Sequence, residues 1–370
     1  MTSPFQSSIV NLKSEIAGLI KPTVLSLSAY TLSGLSAERK LNQNESPFDV
    51  PEHLKREVIE RALATPWNRY PEFVPRRLVE QIAAKHDWDP EGVLVGNGSN
   101  EVIQASISVA VNTGDPVVVP QPSFALYRIM TGVMGGRYLP VPLGAEYAYD
   151  LDALAAVAQR ERARVVVLNS PNNPTGSVLP EDGVATLLER TESLLLCDEA
   201  YQDFGGPTAL TLLRQSPRIV VLRTLSKAMG MAGLRFGYAL AHPDVAREIA
   251  KAKLPYNVNA ITLAAAEVML KHSAEFAARA KTIAQERDRF LGLLGSIPWL
   301  HPFPSKANFV LVRCDRVPAH TVFRRLVDEH GILVRDVSSG AGLAECLRIS
   351  VGTAGDTDAV VAGLSAILSD

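Results

Sequence analysis

Cysteine is scarce in this chain. Three residues in 370, Cys197, Cys314 and Cys346, form an odd and scattered set with no Cys-x-x-Cys spacing. Neither a disulfide framework nor a zinc site is expected from them, and the pattern fits a reducing compartment. The seven histidines are equally dispersed, without paired spacing, so no metal centre is expected. An excess of charge of one sign is missing too. Thirty-seven Lys and Arg against 39 Asp and Glu leave a net charge of -2, with no acidic or basic tail. Nucleic acid and anionic membranes are therefore not expected as main partners. No uninterrupted apolar run is long enough to span a bilayer, and the amino-terminal residues carry no basic leader, Lys13 and Glu15 interrupting their apolar stretch. The expectation is a cytoplasmic protein.

What the chain does have is length and regular patterning. Hydrophobic residues make up 47% of it, Gly and Pro are spread throughout, and 370 residues suffice for two domains. Apolar runs at 93–95, 117–119, 165–168, 194–197, 219–222 and 237–241 alternate with helical patterns such as 101–111, 151–162 and 181–191. Near-continuous apolar strands separated by helices imply an α/β fold with a mainly parallel sheet covered on both faces. Such sheets bind ligands at the carboxyl ends of their strands. After Pro255-Tyr256-Asn257 a long helical region, 260–294, leads into shorter strand patterns at 309–312 and 347–351. The expected division is an amino-terminal arm (1–50), a large domain (51–258) and a small carboxyl-terminal α/β domain (259–370).

The residues that carry chemistry fall just after the apolar runs. Thr224-Leu225-Ser226-Lys227 closes one run and Arg235 follows eight residues later. A lysine there can condense with an aldehyde cofactor while the hydroxyls and the arginine hold a phosphate. Pyridoxal 5'-phosphate (PLP) carries both groups. Gly96-Asn97-Gly98-Ser99-Asn100-Glu101 follows a strand and opens a helix, where backbone N–H groups make a phosphate cradle. Glu101 stands where a dinucleotide fingerprint needs Gly or Ala, and no nucleotide-hydrolysing P-loop occurs. Asp198, after the run 194–197, suits a carboxylate set against a pyridine nitrogen. Tyr201, one helical turn on, and Asn173, in Asn173-Pro174-Thr175-Gly176, can reach the ring's phenolic oxygen. Phe124 can stack on the ring.

A glycine phosphate loop, an aromatic residue, Asn-Pro-Thr-Gly, Asp-x-x-Tyr, Ser-Lys and an arginine eight residues on resemble, in this order, the fold type I PLP-dependent aminotransferases. The resemblance covers almost the whole chain. Further segments resemble one branch, the histidinol-phosphate aminotransferases: Leu41-Asn42-Gln43-Asn44-Glu45-Ser46-Pro47, Asn68-Arg69-Tyr70-Pro71-Glu72, Pro255-Tyr256-Asn257-Val258-Asn259, Gly331-Ile332-Leu333-Val334-Arg335-Asp336 and Leu347-Arg348-Ile349-Ser350-Val351-Gly352-Thr353.

That resemblance implies a homodimer in which Tyr70 reaches the cofactor phosphate of the neighbouring subunit. It implies that Arg348 and Arg335 hold the phosphate ester of histidinol phosphate, that Tyr30 belongs to a substrate-covering amino-terminal arm, and that Asn44 also binds the substrate. Lys227 would carry a proton between the substrate Cα and the cofactor, and 2-oxoglutarate would accept the amino group. Two features depart from the branch: Ser46 replaces a common proline, and Phe124 stands where many members have tyrosine. An aromatic amino-acid aminotransferase and a threonine-phosphate decarboxylase share the same cofactor motifs. A non-catalytic PLP-sensing regulator would add a basic DNA-binding domain, and no basic cluster precedes the pattern here.

Overall fold

The computed structural model describes residues 18–29, 31 and 34–369. A short strand, β1 (Arg39–Lys40), comes first. Then β2 (Val93–Asn97), β3 (Pro116–Gln121), β4 (Arg137–Pro142), β5 (Val165–Asn169), β6 (Leu194–Asp198), β7 (Ile219–Thr224) and β8 (Phe236–Ala241) build a seven-stranded sheet in the order β2-β8-β7-β6-β5-β3-β4. Neighbours run parallel from β4 through to β7. Only β8 is antiparallel to its neighbours, β7 and β2. The reason is the connection. Parallel strands need a long crossover, usually helical, whereas β7 and β8 are joined by residues 225–235 without a helix. That helix-free connection carries Ser226, Lys227 and Arg235.

Every residue of β5, β7 and β8 is buried, because helices cover both faces. Alternate side chains feed two cores. Val118, Val166, Leu168, Leu195 and Val221 point into one. Val117, Val165, Val167, Leu196 and Val220 point into the other. Strand β4 lies outside the sequence expectation. Its run Arg-Tyr-Leu-Pro-Val-Pro holds two prolines, which a sheet tolerates at an edge, and β4 is an edge strand.

A second sheet is built from β9 (Leu300–Pro302), β10 (Phe309–Cys314), β12 (Arg335–Asp336) and β13 (Cys346–Ser350), antiparallel in the order β12-β13-β10-β9, with β11 (Ile332–Leu333) just before β12. Strand β1 pairs in parallel with β11, so the amino-terminal segment joins the carboxyl-terminal body and buries Leu41 in its core beside Ile332, Leu333 and Ile349. Residues nearer the amino terminus run the other way. Lys21 Nζ donates to Val133 O (3.2 Å), at the helix Ala125–Met134 of the large body.

The helical region at 260–294 is two helices, Ala260–Lys271 and Ser273–Leu294, broken at His272. The first packs Ala265, Ala266, Val268 and Met269 into the core beneath the large sheet. It therefore packs on the larger body, although a division at 258/259 assigns it to the smaller one.

Candidate active site

A cavity of about 430 Å³ opens at the carboxyl ends of β5, β6 and β7, where the two bodies meet. Parallel strands bring their loops to one edge, and the segment 42–45 and Arg348 close the cavity from the other side. Its floor is Asp198, the last residue of β6 and fully buried. Tyr127 Oη donates to Asp198 Oδ2 (2.7 Å) and the Ala200 amide donates to Oδ1 (3.1 Å). Burial raises the Asp198 carboxyl above its ordinary pKa, against those two hydrogen bonds. Both donors are neutral. A buried carboxylate whose partners carry no positive charge is costly, and a protonated pyridine nitrogen is the kind of group that fits against it.

The phosphate end lies at the start of the helix Ser99–Ala110. Its N-cap Gly98 has φ +77°, and a Cβ there would come within 2.5 Å of the Arg235 guanidinium. Ser99, Asn100, Thr224, Ser226 and Arg235 all line the cavity. Arg235 NH1 donates to Ser226 Oγ (3.3 Å) and to Ala232 O (3.1 Å), and Ser226 N donates to Thr224 Oγ1 (3.1 Å). Gly237 on β8 lets the helix start approach, since a Cβ there would overlap the Ser99 amide nitrogen. Helix-start amides, three hydroxyls and an exposed guanidinium form an anion cradle.

Lys227 stands between floor and cradle. Its Nζ donates to Gln43 O (3.0 Å) and lies 5.7 Å from the centre of the Tyr201 ring. Burial in the cavity wall pulls its pKa down to about 7, helped by Arg348 and Arg235 and opposed by Glu45. The shift favours the neutral amine, the form that takes up a proton or attacks an aldehyde.

Tyr201 and Asn173 complete the wall. Asn44 Nδ2 donates to Tyr201 Oη (2.9 Å), and the Phe309 ring meets the Tyr201 ring edge-on at 5.1 Å. Asn44, buried with φ +55°, is itself fixed: its N–H donates to Ser350 Oγ (2.8 Å) and its carbonyl accepts from Asn308 (3.1 Å). Arg348 NH1 donates to Asn173 Oδ1 (2.5 Å) and NH2 to Asn42 O (2.7 Å). Phe124 lines the cavity and meets Tyr127 edge-on at 5.8 Å.

Three other expected residues lie outside the cavity lining. Gly98 forms the cradle's backbone. Arg335 sits on β12 and donates to Thr31 O (3.2 Å). Tyr70 is 80% exposed and stacked on Tyr256 at 4.4 Å. Tyr30 lies outside the described residues. The sequence reading missed Tyr127, although it lies in the first turn of the helix that Phe124 precedes as N-cap. It also missed Gln43, whose part is played by a backbone carbonyl and leaves no side-chain signature.

The model of the family described as aminotransferase class I and II matches residues 39–367. The chain belongs to that family. Its members are PLP-dependent transferases, and this chain is one, with an amino compound and an oxo acid as substrates. The histidinol-phosphate aminotransferase of Prosthecochloris aestuarii is 40% identical over 346 residues, which cover 93% of this chain and 96% of that protein. That of Thermoanaerobacter pseudethanolicus is 34% identical over 353 residues, 95% and 99% of the two. Among solved structures, histidinol-phosphate aminotransferase from Sinorhizobium meliloti in complex with pyridoxal-5'-phosphate matches with a TM-score of 0.85 at 27% identity, over 95% of this chain and 97% of that one. L-threonine-O-3-phosphate decarboxylase from Porphyromonas gingivalis matches with a TM-score of 0.79 at 22% identity, over 90% and 100%, which speaks for the fold alone. The architecture is that of the fold type I PLP-dependent enzymes. Among the described residues no helix is long and apolar enough to cross a membrane.

Proposed function

We propose that this enzyme transfers the amino group of histidinol phosphate to 2-oxoglutarate, giving imidazole acetol phosphate and glutamate in histidine biosynthesis. The observation that carries this reading is the pairing of β12 with β13, which sets Arg335 directly opposite Arg348. Residues directly opposite project from the same face of a sheet, and like charges in that position destabilise it unless an anion lies between them. A phosphate dianion suits two guanidinium forks, whereas a lone carboxylate needs one. The names of the relatives point the same way. The carboxylate of the oxo acid uses the same pair in the second half of the reaction.

Bound PLP supplies an aldehyde that takes up amines and a ring that accepts electrons when a proton leaves the substrate carbon. The chain's residues do the rest. Asp198 keeps the ring nitrogen protonated. Tyr201 and Asn173 address the phenolic oxygen, and Phe124 lies against the ring. Gly98, Ser99, Asn100, Thr224, Ser226 and Arg235 hold the phosphate. Lys227, as a neutral amine, takes the proton from the substrate Cα and returns it two atoms further on, at the cofactor's aldehyde carbon, with the transferred nitrogen between them. Asn44 borders the substrate, and Tyr30 belongs to the segment covering it. The exposure of Tyr70 favours a homodimer in which it serves the site of a second copy. Three unpaired, buried cysteines favour a cytoplasmic location.

The test is a half-reaction. PLP-loaded protein is mixed with histidinol phosphate, phenylalanine or threonine phosphate, one at a time and without oxo acid, and its visible absorption is followed. Histidinol phosphate is expected to react fastest, and Arg335→Ala to slow it selectively. Faster conversion by phenylalanine would make this an aromatic aminotransferase and remove the role given to Arg335.

A further inference from the structure

On the face of the large sheet turned away from the cavity lies a buried ion pair that none of the chemistry above uses. Arg223, on β7, is 7% exposed, and Glu199, just after β6, is 3% exposed. Their side chains meet at 2.7 Å. Each is next to a residue of the site: Glu199 follows Asp198 and Arg223 precedes Thr224. Asp198 and Thr224 line the cavity while Glu199 and Arg223 do not, which is the alternation of a strand.

The arginine does more than neutralise the glutamate. Its NH1 donates to Gln202 Oε1 (2.7 Å) and its NH2 to Thr208 Oγ1 (3.1 Å). Thr208 Oγ1 in turn donates to Glu199 Oε2 (2.8 Å), and the Ala209 amide donates to Glu199 Oε1 (2.6 Å). Glu199, Gln202 and Thr208 all belong to the segment that leaves β6 and carries Ala200 and Tyr201 past the cavity. One planar guanidinium therefore gathers that segment from behind, on both sides of Tyr201, and ties it to the strand that leads into Ser226 and Lys227. Lysine offers a point charge without the fork and cannot hold the same set.

We propose that Arg223 is a positioning residue for Tyr201, fixing the height of the Tyr201 hydroxyl relative to Lys227 from the far side of the sheet. This rests on Tyr201 acting in the site as described above. A buried ion pair with a purely structural part would, when broken, lower stability and leave the rate per folded molecule unchanged. A positioning part lowers the rate, and only so long as Tyr201 still has its hydroxyl.

A double-mutant cycle separates the two. Steady-state kinetics of PLP-loaded wild type, Arg223→Lys, Tyr201→Phe and the double variant would be measured with the folded fraction normalised. Amide exchange over residues 199–210 would be followed in cofactor-free wild type and Arg223→Lys. The expected result for Arg223→Lys is a fall in kcat of about tenfold, the scale of one misplaced hydrogen bond, with KM for the amino donor within about twofold. Adding Arg223→Lys to Tyr201→Phe should slow the enzyme no further, and exchange over 199–210 should quicken. Effects that multiply in the double variant, or an unchanged kcat in Arg223→Lys, overturn the proposal. An unchanged kcat in Tyr201→Phe alone overturns instead the role of Tyr201 on which it rests. Should Arg223→Lys fail to fold, Thr208→Val, which removes at constant shape the hydroxyl that links Arg223 to Glu199, takes its place in the same cycle with the same criteria.

Discussion

Removing the hydroxyl of Tyr127 would leave Oδ2 of a buried carboxylate, Asp198, without its donor. An unsatisfied buried acceptor costs about 1–3 kcal/mol, so Tyr127→Phe is expected to lower kcat on the order of tenfold. KM for the amino donor should hardly move, because the bond that Tyr127 loses is to Asp198 and not to a group assigned to the substrate. Steady-state kinetics check this, and a change confined to KM would contradict it. Lys227 allows a prediction of the opposite kind, about stability. Its folded pKa is about 7 against an ordinary 10.5, so between those values the unfolded chain binds the extra proton. Stability must then rise with pH across that window. Denaturant melts of cofactor-free protein should show wild type gaining on Lys227→Met from pH 7 to pH 10, and a flat difference would contradict the depressed pKa. Lys227, Asp198 and Arg235 were legible in the chain because each is set by a local run and its ending. Tyr127 to Asp198, Asn44 to Tyr201 and Lys227 to Gln43 were not, since each joins residues far apart in sequence that only the folded sheet brings together.

At the level of elements, the cradle depends on two glycines for different reasons. At Gly98 the obstacle to a Cβ is the far end of an arginine, which can move away. Gly98→Ala is therefore expected to fold but to bind PLP about tenfold more weakly, because Arg235 is displaced and φ +77° disfavours alanine. At Gly237 the obstacle is the backbone of Ser99 and Gly98, which cannot move without shifting the helix from the strand. Gly237→Ala should cost the fold itself, read as loss of soluble protein or of the cooperative melt. Equilibrium dialysis against PLP, together with melting curves, distinguishes the two, and equal behaviour of both variants would contradict the account. The order of alternating strands and helices could be read directly, since fully buried parallel strands are continuous apolar runs. Strand β4 escaped because an edge position excuses its prolines. The break at His272 escaped because the charge pattern continues through it. Which neighbour a helix packs against is likewise absent from periodicity, and Ala260–Lys271 packs into the core beneath the large sheet.

At the level of the whole molecule, Tyr70 is displayed to solvent, outside the cavity lining of its own chain. If it serves a second copy, two crippled proteins should repair one another. Lys227→Ala and Tyr70→Ala, each of low activity alone, are expected on mixing and subunit exchange to recover about a quarter of wild-type activity. Half of the dimers then pair unlike chains, and each of those has one intact site. No recovery after exchange, verified by differently tagged chains, would contradict the shared site. The exposed Trp67, Phe73, Leu254 and Tyr256 gave no periodic signal of their own in the sequence, because single exposed apolar residues are common on any protein surface.

Strand β1 pairs with β11, and these lie nearly three hundred residues apart in order of synthesis. The segment that starts at Arg39 therefore cannot take its place until Ile332 and Leu333 have been made. A ribosome halted before Ile332 would hold a chain able to complete the seven-stranded sheet, with Lys227 and the glycine cradle in place. Gln43 and Asn44 would still lack the strand partner that brings them to the lysine. Newly made protein should thus become competent for the phosphate before it is competent for turnover, with the wait set by translation of the final stretch.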